Sequence, residues 1–96
     1  MPSIAETARY RSKPSVIETD LEAELVLLDP ETREMYSLNA VGRAVWRALP
    51  GCTVAAVATE VTRAFDVEYG RALDDVRRVL GDLLATGLIV SAGDAD

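Results

Sequence analysis

Few residues of this 96-residue chain could do chemistry, and they are scattered along it. The sequence has no histidine and one cysteine, Cys52, which follows Gly51 in a turn. With no histidine base to activate it, this thiol is better explained as a small structural residue. Asp74 and Asp75 are successive helix positions that point in different directions, so they favour a solvated helix start over a carboxylate pair. We expect a non-enzyme without metal or cofactor.

The composition of the chain limits the classes of partner that it could bind. Sixteen acidic residues oppose ten basic ones, which leaves a net charge of −6, and 49% of the residues are hydrophobic. Such a chain can bury one core as a single domain, while its charge disfavours nucleic acid and suits a basic or neutral peptide. The apolar run 25–28 is far too short to span a membrane, and the polar N-terminus carrying Glu6 is not a secretory signal. We expect a cytoplasmic protein.

The first part of the chain has the pattern of strands. Residues 1–14 are polar, end at a proline, and are expected to form a flexible arm. Val16 and Ile17 are compatible with a short edge strand. The segments 24–28 and 34–38 are strand-compatible and flank the sequence Asp-Pro-Glu-Thr, which is typical of a β-turn. These features predict an antiparallel hairpin.

After the hairpin the apolar period changes from two to 3.6 residues. Asn39 is a predicted cap for a first helix that ends at Pro50-Gly51, and Thr53 caps a second helix with an apolar stripe from Val54 to Phe65. A third helix is predicted from about Arg71 to Thr86, with Gly87 as its C-terminal cap. The tail 91–96 is expected to be flexible, so the domain spans 15–90. We predict an α+β fold of the winged helix-turn-helix type: a small antiparallel three-stranded sheet, then three helices.

An open sheet edge is the feature that suggests a function. Unpaired backbone groups at such an edge can capture a peptide as an added strand, and segment 34–38 is the candidate edge. If the third helix lies beside it, a groove forms between strand and helix. Leu73, Leu80 and Leu84 are better explained as core. The candidate peptide-binding residues are Glu34, Met35, Tyr36, Ser37, Leu38, Val76, Arg77, Val79, Leu80 and Leu83.

An ordered set of motifs resembles the PqqD family. The stretch 27–46 is similar to the family pattern LLD…G.yy.LN..G..iW, through Leu38-Asn39, Gly42 and Trp46. The stretch 75–89 is similar to the family ending DV..fL..L...GLi. The resemblance covers about residues 16–90. One position departs from it: Arg33 stands where the family usually has glycine before the second hairpin strand, which leaves the turn type open.

The resemblance implies a recognition element for ribosomally synthesised and post-translationally modified peptides (RiPPs). Such an element binds the leader of a precursor peptide, which adds to the third strand and lies against the third helix. The start of the third helix, 69–76, is more similar to stand-alone lasso-peptide relatives, which deliver the precursor to a leader peptidase and a macrolactam-forming synthetase. PqqD itself serves a radical-SAM enzyme, which is the alternative within the family. Either way the domain performs no catalysis and raises the local concentration of a substrate.

Two other functions compete with peptide binding. A winged-helix DNA-binding regulator would suit the fold, but the second helix offers only Thr59, Glu60, Thr62 and Arg63 on its polar face, and the net charge opposes it. An enzyme subunit completed by a partner has no direct support in the residues. The sequence determines neither the precursor peptide nor the oligomeric state.

Overall fold

A computed structural model describes residues 4–49 and 51–94 of the chain. Its elements follow the predicted order of strands and then helices. They are β1 (Ala8–Ser12), β2 (Ile17–Asp20), β3 (Leu25–Asp29), β4 (Glu34–Leu38), α1 (Ala40–Ala48), α2 (Val54–Phe65), α3 (Tyr69–Thr86) and β5 (Ile89–Asp94). Among these described elements, no helix is both long enough and apolar enough to cross a bilayer.

The predicted hairpin is confirmed as the centre of an antiparallel sheet with the order β2-β3-β4. Its register pairs Leu25 with Leu38 and Asp29 with Glu34. Side chains alternate across β3, so that Leu25 and Leu27 are fully buried while Leu28 is half-buried on the opposite face. The sheet therefore has one face on the core and one face away from it.

The hairpin turn depends on Asp29 and on an unusual backbone conformation. Asp29 is buried, and its carboxylate accepts a hydrogen bond from the Glu31 amide at 3.0 Å. The Arg33 amide donates to the Asp29 carbonyl at 2.7 Å. Arg33 has a φ of +65°, in the left-handed region that favours glycine. This geometry accounts for the glycine usual at this position in the resembling family.

The three predicted helices are confirmed, with their caps. The Asn39 side chain accepts a hydrogen bond from the Gly42 amide at 2.9 Å, and Thr53 accepts one from the Ala56 amide at 3.2 Å. α3 begins at Tyr69, two residues before its predicted start, and ends at Gly87 with a φ of +77°. Pro50, predicted to help end α1, lies outside the described residues.

The helices pack together on the core face of the sheet. All three helices contribute buried side chains to this core. Trp46 of α1 is almost fully buried, as expected of a core anchor. The completely inaccessible side chains of the helices are Val45, Val57, Ala58, Ala72, Val76, Leu80 and Leu83. Burial of these aliphatic groups is the main stabilising contribution, at about 25 cal/mol per Å² of apolar surface.

The N-terminal arm and the C-terminal tail that were predicted to be flexible each contain regular secondary structure. β1 pairs antiparallel with β5 in a second sheet, with Arg11 opposite Val90. Ile4, Ala8 and Ile89 are buried in the core. Neither strand has a strong apolar alternation of its own, and each is stabilised by a partner far away in sequence. Residues 1–3 and 95–96 of the predicted flexible ends lie outside the described residues.

An ion pair joins this second sheet to the hairpin turn. Lys13, just after β1, donates to the buried Asp29 carboxylate at 3.1 Å and reaches Glu31 at 3.0 Å. The hydrogen bond from Lys13 is the main reason that the pKa of Asp29 lies below its usual range. The pKa of Lys13 is raised, by Glu31 first and then by Asp29.

The left-handed conformation of Arg33 predicts that Arg33→Gly stabilises the protein. Glycine removes about 1 kcal/mol of strain at a positive φ and loses part of this to its greater freedom in the unfolded chain. We expect a gain of about 0.5 kcal/mol in the free energy of unfolding, measured by urea denaturation. Ala23→Gly is the control, because Ala23 is an exposed turn residue with no positive φ, and it should lose about 0.4–1 kcal/mol. A loss in both variants would contradict the assigned turn.

The lowered pKa of Asp29 predicts how Lys13→Met changes the pH dependence of stability. A depressed carboxyl pKa contributes stability above its unfolded value of about 3.9, and this is lost as the pH falls through the folded pKa. Lys13→Met leaves a buried carboxylate without its cation, so the variant should be less stable at neutral pH. The difference from the parent should shrink below about pH 4, where Asp29 becomes protonated. Thermal melts across this range measure it.

Arg11→Met serves as the matched control, because Arg11 is an exposed cation on β1. It should change the melting temperature little and by a similar amount at all pH values. An equal loss for Lys13→Met at neutral and acidic pH would show that the Lys13–Asp29 ion pair does not contribute.

Candidate functional site

The outer edge of β4 is open. β4 pairs with β3 along one side, and no described strand pairs with its other side. β2 covers the far side of β3, and β1, which follows the N-terminal segment, pairs with β5 instead. In an antiparallel strand, alternate residues direct their N–H and C=O groups to opposite sides. Half of the backbone groups of β4 therefore face away from the sheet.

A shallow groove lies between β4 and α3. It has a volume of about 220 Å³ and is lined by Tyr36, Ser37, Leu38, Asn39, Gly42, Arg78, Val79 and Asp82. Val79 is half-buried, and it is the apolar contribution of α3 to this lining. The third helix therefore lies beside the edge strand, which is the condition for a groove between them.

A side-chain hydrogen bond links the two walls of the groove. The Tyr36 hydroxyl on β4 donates to Asp82 Oδ2 on α3 at 3.1 Å. The pKa of Tyr36 is raised, first because the ring is partly desolvated and second because this carboxylate stabilises the protonated phenol. One turn earlier on α3, Arg78 lies 3.4 Å from Asp75. The groove thus combines a backbone edge, an apolar patch and side chains of both charges.

Gly42 lets α1 approach the end of β4 closely. A methyl group at this position would lie 3.0 Å from both Cβ and Cδ2 of Leu38. Leu38 is buried, so it has little freedom to move aside. The small residue therefore sets the floor of the groove, which gives a physical reason for glycine in the LN..G motif.

The structure divides the ten candidate peptide-binding residues into two groups. Glu34, Met35 and Ser37 are exposed on β4, and Tyr36 and Val79 are half-buried in the groove. Leu38 is 4% exposed and forms part of the groove floor. Glu34 and Met35 lie on β4 outside the groove lining. The remaining four candidates lie on α3 and do not line the groove either: Val76, Arg77, Leu80 and Leu83.

The prediction that α3 presents Val76, Leu80 and Leu83 to a ligand needs correction. All three side chains are completely buried in the core, so they support the groove from beneath. Arg77 is also directed elsewhere, because its Nε donates to the Ile4 carbonyl at 2.9 Å. Its candidacy for peptide binding rested on its charge, and the contact with the N-terminal segment is a tertiary feature.

Four groove residues were missed: Asn39, Gly42, Arg78 and Asp82. A helical signal was available for two of them. Asp82 lies four residues after Arg78 and three residues after Val79, so helical spacing makes it a neighbour of both on the surface of α3. Asn39 and Gly42 were assigned only to helix capping and to a family motif.

An open edge strand beside a helix defines a class of small α+β domains that can take up an extended segment by strand addition. The model of the family described as "Coenzyme PQQ synthesis protein D (PqqD)" matches residues 24–89. The chain belongs to this PqqD family, as the resemblance predicted. No curated protein matches the chain.

Two solved structures are similar over nearly their whole length. One is described as TbiB1 in complex with the TbiA(beta) leader peptide; it is 25% identical, with a TM-score of 0.75, covering 90% of this chain and 99% of that one. The other is lasso peptide synthetase B1 complexed with the leader peptide, at 29% identity and a TM-score of 0.73, with the same coverage. Both similarities extend beyond the residues matched by the family model.

The Tyr36–Asp82 bond predicts a specific change in tyrosine titration. Asp82→Asn removes the nearby negative charge, so the pKa of Tyr36 should fall while partial burial still keeps it above the ordinary value. Ring-labelled tyrosine followed by NMR through alkaline pH measures it. Glu6→Gln is the matched control, because the Tyr69 hydroxyl donates to Glu6 at 2.7 Å and its pKa is raised mainly by that bond. Each variant should move only its own tyrosine; an unchanged Tyr36 in Asp82→Asn would contradict the bond.

Proposed function

We propose that this chain is a RiPP recognition element that binds the leader of a precursor peptide as an added strand on β4. The observation that carries the proposal is the open β4 edge beside α3 in a member of the PqqD family. The similar structures of TbiB1 and of lasso peptide synthetase B1 were both solved with a leader peptide. In the proposed winged helix-turn-helix, the β3–β4 hairpin is the wing, and α1 and α2 form the helix-turn-helix.

Main-chain hydrogen bonds to β4 would supply the register of the guest peptide. Its side chains would then alternate between the groove and the opposite face of the sheet. Those directed to the groove would meet Leu38 and Val79, with the Tyr36 hydroxyl and the Arg78 guanidinium at its margins. The revised set of side chains proposed to contact the leader is Glu34, Met35, Tyr36, Ser37, Leu38, Arg78, Val79 and Asp82.

The charge distribution supports a neutral or basic leader. Residues 17–38, which contain the three-stranded sheet, hold seven carboxylates and one arginine, a formal charge equal to the −6 of the whole chain. Some of these charges are balanced within the fold, since Asp20 pairs with Arg43 and Arg47. Glu34 is exposed on β4, and the exposed Asp82 lines the groove on α3. Lysine or arginine in the leader would be attracted to it.

The domain itself would carry out no reaction. Its proposed role is to hold the leader so that modifying enzymes meet the rest of the precursor at high effective concentration. The similarity to lasso peptide synthetase B1 favours a leader peptidase and a macrolactam synthetase as those enzymes, acting in the cytoplasm.

Proline substitutions on β4 test strand addition. Of the two neighbours Met35 and Tyr36, one directs its N–H to β3 and the other away from the sheet. Met35→Pro and Tyr36→Pro should therefore differ: one disrupts the sheet, and the other keeps the fold but removes a donor for the guest. The folded variant, identified by circular dichroism, should bind the labelled leader of its precursor peptide about tenfold more weakly, a loss of about 1.4 kcal/mol.

Proline at Glu18 or Thr19 supplies the control, because both residues lie on β2 at the opposite edge of the same sheet. Whichever of these variants remains folded should bind the leader normally. A labelled DNA duplex at physiological salt should not bind. Normal leader binding by a folded proline variant of β4 would overturn the proposed site.

A further inference from the structure

One hydrogen bond crosses the space that a guest strand on β4 would enter. The Tyr36 hydroxyl on β4 donates to Asp82 Oδ2 on α3 at 3.1 Å, and both residues line the groove. β4 runs from Glu34 to Leu38, so Tyr36 is its central residue. The bond therefore joins the two walls of the groove halfway along the open strand edge.

The register of the sheet shows on which side of β4 this bond lies. Tyr36 is opposite Leu27, which is completely buried, so the Tyr36 side chain leaves β4 on the face that the helices cover. Residues directly opposite each other in an antiparallel pair share a face, with their Cβ atoms about 4.5–5.5 Å apart. A guest residue opposite Tyr36 would therefore direct its side chain toward α3. That side chain and the Tyr36–Asp82 bond compete for the same space.

Two other polar side chains in the lining are bonded without crossing the groove. Asn39 caps α1 by accepting a hydrogen bond from the Gly42 amide at 2.9 Å, and Arg78 lies 3.4 Å from Asp75 on the same helix. A guest strand can lie along β4 without disturbing either interaction. The Tyr36–Asp82 bond is thus the lining contact that strand addition would change.

Displacement of the Tyr36 hydroxyl would leave the Asp82 carboxylate in need of a new donor. Asp82 is exposed and carries the only negative charge among the residues that line the groove. An apolar guest side chain would break the bond and replace it with nothing, and a guest carboxylate would add repulsion. A lysine or arginine supplies both a donor and the opposite charge. The exchange is therefore favourable for a basic guest residue and unfavourable for an apolar or acidic one.

We propose that Asp82 determines the specificity of the groove by exchanging partners: it holds Tyr36 across the empty groove and binds a lysine or arginine of the guest, opposite Tyr36, when the guest adds to β4. This inference rests on the proposed function, because it requires the guest to lie along β4. An extended chain without a basic residue at that position would lose the Tyr36–Asp82 bond uncompensated. The bond thereby restricts a strand edge that could otherwise pair with any extended chain.

A double-mutant cycle between Asp82 and the guest tests the exchange. The probe is the labelled leader of the precursor peptide, together with variants in which each of its lysines and arginines is replaced singly by methionine. One of these replacements should weaken binding to the parent about fivefold, because the guest then has no donor for Asp82. The same replacement should have no effect on binding to Asp82→Asn, since the charge that it answers is gone.

Tyr36→Phe tests the other half of the exchange, because it keeps the ring and removes the hydroxyl that must be displaced. It should bind the leader about threefold more tightly than the parent, and the gain should vanish in the Asp82→Asn background. Tyr69→Phe is the matched control, since the Tyr69 hydroxyl donates to Glu6 at 2.7 Å outside the groove lining. It should bind the leader like the parent. Circular dichroism shows that each variant is folded.

The outcomes separate this inference from the proposed function. Leader binding by the parent in which no lysine or arginine is coupled to Asp82 would refute the exchange alone. Weaker leader binding by folded Tyr36→Phe would also refute it, because the hydroxyl would then contact the guest directly. Absence of leader binding by the parent would refute the proposed function, and the exchange with it.

Discussion

Backbone pairing between β3 and β4 is the interaction on which the rest of the structure depends. It fixes the register of the sheet, directs Leu25 and Leu27 into the core, and leaves one side of β4 without a partner among the strands that the structure describes. An unpaired strand edge is ordinarily a hazard, since it can pair with any extended chain. Here the short five-residue strand and the adjacent helix restrict that edge to a narrow groove.

The second sheet holds β1 away from the open edge of β4. β1 pairs with β5, which lies near the other end of the sequence. Lys13, just after β1, forms an ion pair with Asp29 in the hairpin turn. The N-terminal residues that could otherwise add to β4 are thereby held elsewhere. Arg77 of α3 also contacts the N-terminal segment, because its side chain donates a hydrogen bond to the Ile4 carbonyl. This contact directs a basic side chain of α3 away from the groove.

Three surfaces of one small sheet therefore have separate environments. The face toward the core is packed by helices, the open edge of β4 exposes backbone groups, and the face that points away from the core carries Ile17, Leu28 and Met35 in register. The same short sheet thus supplies both the packing of the core and the open edge on which the proposed function rests.

The sequence by itself determined the hairpin, the three helices and their caps, because these depend on local signals: alternation, a helical stripe, and side chains such as Asn39 and Thr53 beside free amides. It also determined family membership, through motifs whose spacing follows the same elements. In the sequence, the left-handed conformation of Arg33 was visible only because arginine replaces the glycine that the family pattern usually has at this position.

Only the tertiary structure decided which side of each helix and strand packs in the core and which side lies beside the groove. Pairing of β1 with β5 joins segments about eighty residues apart, and neither has enough apolar alternation to predict a strand alone. Helical periodicity placed Val76, Leu80 and Leu83 on an apolar stripe, but not whether that stripe met a ligand or the core. The answer depended on how α3 packs against the sheet, which buried those three and left Val79, Arg78 and Asp82 beside β4.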